Sequence, residues 1–493
     1  MAAAPIGRRG DSAARVLPGG RARALGLGLV LVLGVLACGP GDAPPPAGSS
    51  DGSATAGGSP TPFGPKVPGR VLLIGIDGAT LRVVEPMIAE GRLPNLAGIA
   101  RKGVSGPLKS LHPLLSPRVW TTIATGKRPE QHGIKRWMTP KRAGNPSRFY
   151  LSSDRRGAAL WNIASDAGLR VGVINWLVTY PPEVVRGVMV TDHALPGAGE
   201  GRQFIKNLFV PKRKARRDGP SQGQGNGDRK TAPDAAGRAA APATYPEAWQ
   251  ARVEALFEER APLTRVPDPF AGVLLPKWVW PDKLRDFLHQ DEALARIALA
   301  VEREVRPDVL MVLFQGIDRV SHWLWGCLED PELYPERLRP RTEERQGGAA
   351  ALQQYYAFTD ALIGKLLQNF GPGDLVMVVS DHGFEAGVTW KVLTGIHHSE
   401  RAEDGVLFAR GPGVRPGRAE GVTVADVTPT VLAWLGLAVA EDMDGRVAGF
   451  LEPATPVKRV ASYDGIPIAR LGAGHSGAEE RYLEQLRELG YLE

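Results

Sequence analysis

Cysteine is scarce in this sequence: only two of the 493 residues are cysteines, Cys38 and Cys327. With so few, a scaffold held by several disulfides is excluded, and the fold must be stabilised by a hydrophobic core. A metal site built from a cluster of thiolates is excluded for the same reason. We expect Cys327 to be a small, buried apolar residue.

An apolar run long enough to span a bilayer, about 20 residues, is also missing. The apolar run over residues 24–37 is shorter and follows five arginines, which is typical of a secretory signal peptide. It ends in Val35-Leu36-Ala37-Cys38, which resembles the lipobox of bacterial lipoproteins, in which the cysteine is lipidated. We therefore expect residues 1–37 to be a lipoprotein signal peptide, Cys38 to carry a membrane anchor, and residues 38–67 to be a tether rich in Gly, Pro and Ser. An ordinary cleaved signal with a chance cysteine is the alternative.

An excess of positive charge is missing outside two segments. The formal net charge is +7, but residues 1–37 carry +4 and residues 212–238 carry +5, which leaves the rest of the chain at −2. The sequence pI of about 9.4 therefore does not indicate a nucleic-acid-binding surface. We expect no nucleic-acid polymer as a partner.

The remaining composition is ordinary for a globular protein, with 43% apolar and 23% charged residues. Short runs that are apolar throughout alternate with helical patterns, which predicts strands of a largely parallel sheet covered on both faces. The predicted fold is α/β, with three α/β/α layers. The predicted strands are Val71–Ile76, Val171–Asn175, Val188–Val190, Val309–Phe314, Leu375–Ser380 and Val406–Phe408.

The catalytic domain is expected to span residues 68–450. Residues 138–300 hold few candidate site residues, and we interpret them as a cap or insertion region beside the core. Within them, residues 211–245 are polar, Gly-rich and basic, which predicts a disordered surface loop. Residues 451–493 are expected to form a C-terminal tail that ends in an amphipathic helix.

Acidic residues and histidines follow three of the predicted strands at the point where each strand ends. Because the carboxyl ends of parallel strands meet at one edge of a sheet, we expect these side chains to converge. Taken singly, each has a simpler explanation as a helix cap, a surface ion pair or a turn. Taken together, carboxylates and imidazoles suit zinc or a similar divalent metal, and six ligands are enough for two ions. The residues are Asp77, Asp318, His322, Asp381, His382, and His397 or its neighbour His398.

The candidate nucleophile is Ser116, which is followed by Pro117 and then by a helical pattern. Because proline favours the first helical position, this order predicts that Ser116 is the N-cap. A hydroxyl there faces free backbone N–H groups and the positive end of the helix dipole, which favour an alkoxide and a bound phosphoryl group. A purely structural cap is the alternative.

Six strings between residues 71 and 446 complete the pattern: GIDG, SPRVWTTIATGKRPEQHGI, DRVSH, SDHGF, GIHH followed by GVLFARGPGV, and DVTPTVLAWLGLAVAEDMDGR. Their order resembles the alkaline phosphatase superfamily, and within it the type I phosphodiesterase/nucleotide pyrophosphatase branch. The resemblance implies an alkaline phosphatase-like fold and cleavage of phosphate esters through a phosphoseryl intermediate on Ser116.

The resemblance also implies two divalent metal ions, which we expect to be Zn²⁺. Such ions lower the pKa of a serine hydroxyl and stabilise the attacking and leaving oxygens. By this resemblance, one ion is held by Asp318, His322 and His397, and the other by Asp77, Asp381 and His382, with Ser116 bridging toward it as the nucleophile.

The sequence departs from the family pattern after the nucleophile. Phosphodiesterase relatives carry an asparagine there that binds a phosphoryl oxygen, and the corresponding residue here is Trp137. Arg118 or Lys127 could replace it, or each could be a solvated helix charge. Sulfatases of the superfamily need Cys or Ser followed by x-Pro-x-Arg for conversion to formylglycine. Ser116 is followed by Pro-Arg-Val-Trp, so we do not expect that modification.

The other histidines lack ligand-like spacing. We interpret His132, in PEQHGI, as a residue that fixes a turn. Trp120 and Trp137 could border the site, although core packing is the simpler role for a tryptophan. Ordinary surface or core positions are expected for His112, His193, His289 and His475.

The sequence thus predicts a metal-dependent phosphoric ester hydrolase, lipid-anchored on the periplasmic or extracytoplasmic face of a bacterial envelope. A phosphodiester or a nucleotide pyrophosphate is the expected substrate. Phosphomonoesters and phosphonates stay open, as does transfer of the phospho group to an envelope glycan or lipid. The expected partners are a phosphate-ester small molecule or an envelope phospho-glycan or lipid, and the membrane through Cys38. A lipoprotein that binds a phosphorylated ligand without turnover is the alternative from a different class.

Overall fold

The computed structural model describes residues 69–141, 147–195, 242–389, 392–399, 401–402 and 404–472. The predicted signal peptide, Cys38, the tether, most of the basic loop and the predicted helix near the C-terminus lie outside these residues.

Strands in the described residues begin and end close to the predicted positions, and all six predicted strands are confirmed. The strands are β1 Val71–Ile76, β2 Val104–Leu108, β3 Val171–Ile174, β4 Gly187–Val190, β5 Thr244–Tyr245, β6 Val309–Phe314, β7 Leu375–Val379, β8 Glu385–Thr389, β9 Leu393–Ile396, β10 Gly405–Arg410, β11 Gly417–Arg418, β12 Val439–Ala440 and β13 Arg459–Val460.

The central sheet has nine strands in the described part of the chain, in the order β11-β2-β10-β7-β1-β6-β3-β4-β5. The five strands from β7 to β4 are parallel to one another, with β1 paired to β6 from Val71↔Val309 to Ile76↔Phe314. Strand β10 runs antiparallel to β7 and β2, and β5 runs antiparallel to β4. The prediction of a largely parallel sheet is therefore confirmed.

Helices cover both faces of this sheet. Successive residues of a strand point to opposite sides, so each strand contributes to the buried cluster on either face. Leu72, Ile74 and Ile76 lie in one buried cluster, and Val71 and Leu73 lie in the other. The α/β/α layering is therefore also confirmed. The α-helices are Leu81–Ala89, Pro94–Lys102, Ser116–Thr125, Pro129–His132, Leu160–Asp166, Trp249–Glu258, Pro281–Val305, Gly316–Leu324, Thr342–Leu367 and Val427–Trp434.

Residues 138–300 do not form a region separate from the core, as the predicted cap would. Strands β3, β4 and β5 of that region belong to the central sheet, because β3 pairs directly with β6. The predicted basic loop, residues 211–245, also extends too far toward the C-terminus, since its last two residues, Thr244 and Tyr245, form the edge strand β5.

Part of the predicted C-terminal tail packs onto the domain. Strand β13 pairs with β12, and the Ala469 carbonyl accepts a hydrogen bond from the Val184 N–H. The buried Lys127 ammonium lies 2.7 Å from Asp442 and 2.6 Å from Asp464, so it joins this segment to the end of the Ser116–Thr125 helix. Cys327 is buried, as expected.

Each helix in the described ranges is too short or too polar to cross a membrane.

Gly75 of β1 packs directly against the indole of Trp120. A Cβ at this position would lie 2.7 Å from two ring atoms of Trp120 and 2.8 Å from Leu313 Cδ1. Because a full core resists such insertion, we expect Gly75→Ala to lower the free energy of unfolding by about 1–3 kcal/mol. Urea denaturation of the purified variant measures this change.

Gly98→Ala is the matched control for that measurement. Gly98 lies in the Pro94–Lys102 helix, and a Cβ there would meet only Arg101 Nη2, at 3.8 Å. Alanine is the better helix former, so this variant should gain about 0.5–1 kcal/mol. A Gly75→Ala variant as stable as the wild type would contradict the packing described for Trp120.

Candidate active site

Polar side chains gather at the edge of the sheet where the parallel strands end. Strand β1 runs into Asp77, β7 runs into Asp381 and His382, and β6 leads into the Gly316–Leu324 helix. The hairpin of β8 and β9 ends at His397, and the segment after β2 leads to Ser116. The structure thus brings the predicted residues together in a buried cluster. They are Asp77, Ser116, Asp318, His322, Asp381, His382 and His397.

One group of possible metal ligands consists of Asp318, His322 and His397. The Nε2 atoms of His322 and His397 lie 3.5 Å and 3.6 Å from Asp318 Oδ1. The three ligand atoms all lie within 4.8 Å of one another, so one ion can contact them together. This group has the membership that the family resemblance implies.

A second group consists of Asp77, His382 and Asp318. The His382 Nε2 atom lies 3.4 Å from Asp77 Oδ1 and also 3.4 Å from Asp381 Oδ2. Asp318 is thus shared between the two groups, which the sequence did not predict. Asp381 borders the second group, with its Oδ1 accepting a hydrogen bond from the Gly78 N–H at 3.3 Å.

Backbone carbonyls hold the three imidazoles of the cluster. The Nδ1 atoms of His322, His382 and His397 lie 2.8 Å from Gly395 O, 3.1 Å from Gly383 O and 2.9 Å from Leu114 O. Such a bond places the proton on Nδ1 and leaves the Nε2 lone pair directed at the cluster. This is the tautomer that a metal ion needs.

Phe384 forms an apolar wall beside the three histidines. Its ring centroid lies 5.1 Å from that of His322, 5.9 Å from His382 and 5.4 Å from His397. This explains the phenylalanine in SDHGF, a residue for which the sequence alone indicated no role.

The electrostatics of the cluster favour a bound cation. Burial, together with Asp381 and Asp318, raises the pKa of Asp77 well above its usual range, and burial raises that of Asp381 to about 6. Burial and the neighbouring imidazoles hold the pKa of His397 well below its usual value. A divalent ion would relieve both penalties, because it neutralises the carboxylates and uses the neutral imidazole.

Buried polar atoms of the cluster also fit a metal. Asp318 Oδ1, Asp381 Oδ2 and His382 Nε2 make no hydrogen bond within the described residues. Buried oxygen and nitrogen atoms are rarely left so, unless they bind an ion or water. Together with the Asp/His composition, this shows that the site fits divalent metal ions.

Protons should compete with metal ions at this site. Since the pKa of Asp381 is raised to about 6, this carboxyl is protonated below that pH in the metal-free protein, and a metal ion must displace the proton. We expect Zn²⁺ affinity to fall by about tenfold between pH 7 and pH 5 for each displaced proton with a pKa of about 6, most steeply below pH 6. Calorimetric titration of the metal-free protein at several pH values measures this. An affinity that is constant over the range would contradict the assignment.

Ser116 is buried and its hydroxyl lies 3.5 Å from Asp77 Oδ1. The predicted N-cap position is wrong by one residue: Leu115 is the N-cap, and Ser116 is the first residue of the helix. Pro117 is then the second residue of the helix, where proline is equally acceptable, because the first N–H groups of a helix have no acceptor within it. Ser116 therefore still lies at the positive end of the helix dipole, beside the second group of ligands.

The two replacements proposed for the missing asparagine differ in their surroundings. Lys127 follows the far end of the Ser116–Thr125 helix and is paired with Asp442 and Asp464, so it does not reach Ser116. Arg118 lies in the first turn, and its buried Nε makes no hydrogen bond in the described part of the chain. Only Arg118 stays a candidate for a phosphoryl contact.

Trp137 lies near Pro117, the residue that follows Ser116. It lines a small pocket together with Pro117, Phe149, Tyr150, Leu177, Val178, Asp192 and His193. Asp192 and His193 were not predicted near the site, because nothing in their spacing distinguishes them from ordinary residues. Trp120, in contrast, is fully buried and packs edge-on against Trp176, so it belongs to the core.

His132 fixes a turn, as predicted. Its Nδ1 accepts a hydrogen bond from the Ile134 N–H at 3.1 Å, and its Nε2 lies 3.0 Å from Thr122 Oγ1. Burial, with the charges of Arg155 and Arg118, lowers its pKa to about 3, so it stays neutral.

Comparison with protein families gives one extended match. A model of the type I phosphodiesterase / nucleotide pyrophosphatase family matches residues 71–422. This span contains every residue of the cluster described above.

Curated relatives match over a shorter segment. A phosphopentomutase from a Methylobacterium species is 42% identical over 96 residues, which are 19% of this chain and 20% of the relative. The match therefore spans about a fifth of the relative's length.

Solved structures are more distant. A putative sulfatase from Bacteroides thetaiotaomicron is 14% identical, with a TM-score of 0.47 over 79% of this chain and 76% of the other. A phosphonoacetate hydrolase from Sinorhizobium meliloti, in complex with phosphonoformate, is 16% identical, with a TM-score of 0.37 over 66% of this chain and 59% of the other. These likenesses carry no argument about activity.

Proposed function

Because the chain belongs to the type I phosphodiesterase/nucleotide pyrophosphatase family, we propose that it hydrolyses phosphodiesters or nucleotide pyrophosphates with Ser116 as the nucleophile. One observation carries this proposal. The Ser116 hydroxyl lies 3.5 Å from Asp77 at the first position of a helix, beside two buried groups of metal ligands. A nucleophile, a positive helix end and sites for divalent cations are the parts that phosphoryl transfer needs.

The first step forms a bond between Ser116 Oγ and phosphorus while the bond from phosphorus to the leaving oxygen breaks. The serine proton is released to water, and the leaving oxygen takes up a proton from water as it departs, so the step is balanced in protons. Two divalent ions, when bound, would lower the pKa of the Ser116 hydroxyl and neutralise charge on the phosphoryl group. The positive end of the Ser116–Thr125 helix dipole faces the same region and favours a negatively charged phosphoryl group.

The second step regenerates the serine. A water oxygen attacks phosphorus, the bond from phosphorus to Ser116 Oγ breaks, and the serine regains a proton. The net reaction adds one water to the ester. If an alcohol of an envelope glycan or lipid replaces that water, the same intermediate gives transfer, which is the second candidate reaction.

We also propose that the enzyme is anchored in a bacterial envelope through Cys38. The lipobox-like Val35-Leu36-Ala37-Cys38 supports this, as does the Gly/Pro/Ser-rich stretch that follows it. An anchor of this kind would keep the site near phospho-glycans and phospholipids. Metabolic labelling of expressed full-length protein with a fatty acid tests the anchor, and Cys38→Ala should abolish the label.

Matched p-nitrophenyl substrates test the proposed reaction. Zn²⁺-loaded protein is assayed with a phosphate monoester, a phosphate diester, a phenylphosphonate and a sulfate, and competing alcohols are added to detect transfer. Preference for the diester is the expected result, whereas preference for another phosphorus substrate would select that branch instead. No turnover with both ions bound would overturn the proposal and favour a binding protein.

A further inference from the structure

Thr394 lies where the β8–β9 hairpin packs against the Gly316–Leu324 helix. It is the second residue of β9, the strand that leads to His397, and its side chain is buried. The helix carries Asp318 and His322, the other two members of the same ligand group. Because these three ligands come from two separate elements, one ion can contact all of them only if the hairpin and the helix keep a fixed spacing.

The Thr394 hydroxyl joins the two elements through two hydrogen bonds. Its Oγ1 donates to the Trp323 carbonyl at 3.1 Å and accepts from the Gly326 N–H at 3.0 Å. Trp323 lies in the last turn of the Gly316–Leu324 helix, and Gly326 lies in the turn that follows. Since the last carbonyls of a helix have no partner within it, the threonine of the hairpin satisfies one of them.

The next residue of β9, Gly395, also contacts the helix. Its carbonyl accepts the hydrogen bond from His322 Nδ1 at 2.8 Å. A Cβ on Gly395 would lie 2.5 Å from the Ser321 carbonyl oxygen and 2.7 Å from Trp325 Cβ, so glycine is needed for this close approach. The carbonyl that orients His322 therefore belongs to the same contact that the Thr394 hydroxyl holds together.

The main chain of Thr394 is held as well. The buried Tyr334 side chain donates its hydroxyl to the Thr394 carbonyl at 2.7 Å. Thr394 is thus fixed both through its side chain and through its backbone. A residue held in this way can set the position of His397, which lies three residues further along the chain.

The second ligand group is supported differently. Asp77 directly follows β1 and His382 follows β7, and these two strands are neighbours in the central sheet. The hairpin of β8 and β9 forms a separate two-stranded sheet. Of the second group, only the shared ligand Asp318 lies on the helix that Thr394 contacts.

We propose that Thr394 is a positioning residue, whose hydroxyl fixes the spacing between His397 and the helix of Asp318 and His322 and so preassembles that metal group. The proposal rests on the metal cluster of the proposed function, but it does not depend on which ester is cleaved. Loss of the hydroxyl should therefore weaken this group selectively and leave the group of Asp77, Asp318 and His382 largely intact.

Thr394→Val tests the proposal, because valine keeps the shape of the side chain and removes the hydroxyl. The substitution is made in two parent variants that each retain one ligand group: His382→Ala retains Asp318, His322 and His397, and His322→Ala retains the other group. Zn²⁺ is titrated by calorimetry into each metal-free full chain. We expect Thr394→Val to lower the affinity about tenfold or more in the His382→Ala parent and to change it little in the His322→Ala parent.

Thr430→Val is the matched control. The hydroxyl of the buried Thr430 likewise donates to a backbone carbonyl, that of Asp426 at 2.6 Å, and accepts from a backbone N–H, that of Ala448 at 2.9 Å. Neither partner lies on an element that carries a ligand of the cluster. This control should lose stability as Thr394→Val does, yet keep the Zn²⁺ affinity of both parents. Thr394→Ser retains the hydroxyl and should restore binding.

Tyr334→Phe keeps the proposal testable if Thr394→Val does not fold. It removes only the donor to the Thr394 carbonyl, so it should show a smaller loss of Zn²⁺ affinity that is confined to the His382→Ala parent.

Three outcomes would overturn the positioning role. They are unchanged affinity in both parents, an equal loss in both parents, and a loss in Thr394→Ser as large as that in Thr394→Val. Because the readout is metal binding, these outcomes are separate from a failure to find a phosphate-ester substrate.

Discussion

Ser116→Ala is expected to lower phosphate-ester turnover by at least about 1,000-fold while both metal ions stay bound. The variant removes the atom that attacks phosphorus in the first step of the proposed reaction. The carboxylates and imidazoles of both ligand groups remain in this variant, so metal binding should persist. Steady-state kinetics, with metal content measured on the same samples, checks both parts of this expectation.

Ser110→Ala is the control for that variant. Ser110 lies in the segment between β2 and the Ser116–Thr125 helix and is buried, and its hydroxyl makes no hydrogen bond within the described ranges. It should therefore keep wild-type turnover. If Ser116→Ala also kept turnover, the serine could not be the nucleophile.

Asp318→Asn is expected to remove both metal ions and to lower turnover by at least about 1,000-fold. The reason is geometric: one ion could contact Asp318 together with His322 and His397, and a second ion could contact Asp318 together with Asp77 and His382. Asparagine keeps the shape but loses the charge that two cations need. Metal content per chain, by atomic emission, together with kinetics, measures the effect.

His322→Ala provides the contrast with Asp318→Asn. His322 belongs only to the group of Asp318 and His397, so this variant should lose one ion and keep the other. Equal metal content in the Asp318 and His322 variants would contradict the sharing of Asp318. Two ions bound to Asp318→Asn would contradict it more strongly.

The architecture of the site was largely predictable from the sequence because the apolar strands are local signals. Strands β1 and β6 begin and end at the predicted residues, and the site follows from where such strands end. The roles of Asp77, Asp318 and Ser116 as metal ligands and nucleophile stay predictions until they are measured, although the structure places these residues together.

Features that depend on distant contacts could not be predicted. The carbonyl that orients His397 belongs to Leu114, 283 residues away in sequence, and carbonyls carry no sequence signal. The interpretation of residues 138–300 as a cap rested on their few candidate site residues, although two predicted strands, Val171–Asn175 and Val188–Val190, lie within them. The structure places both strands in the central sheet, where β3 pairs with β6.

The most direct measurement is to trap the intermediate. The Zn²⁺-loaded enzyme is mixed with an excess of its best phosphorus substrate, quenched with acid within one turnover, digested, and analysed by mass spectrometry. The account predicts that the phosphoryl part of the substrate is found on the peptide that contains Ser116, and that Ser116→Ala shows none. Rapid turnover with no modified Ser116, or with the group on another residue, would contradict it.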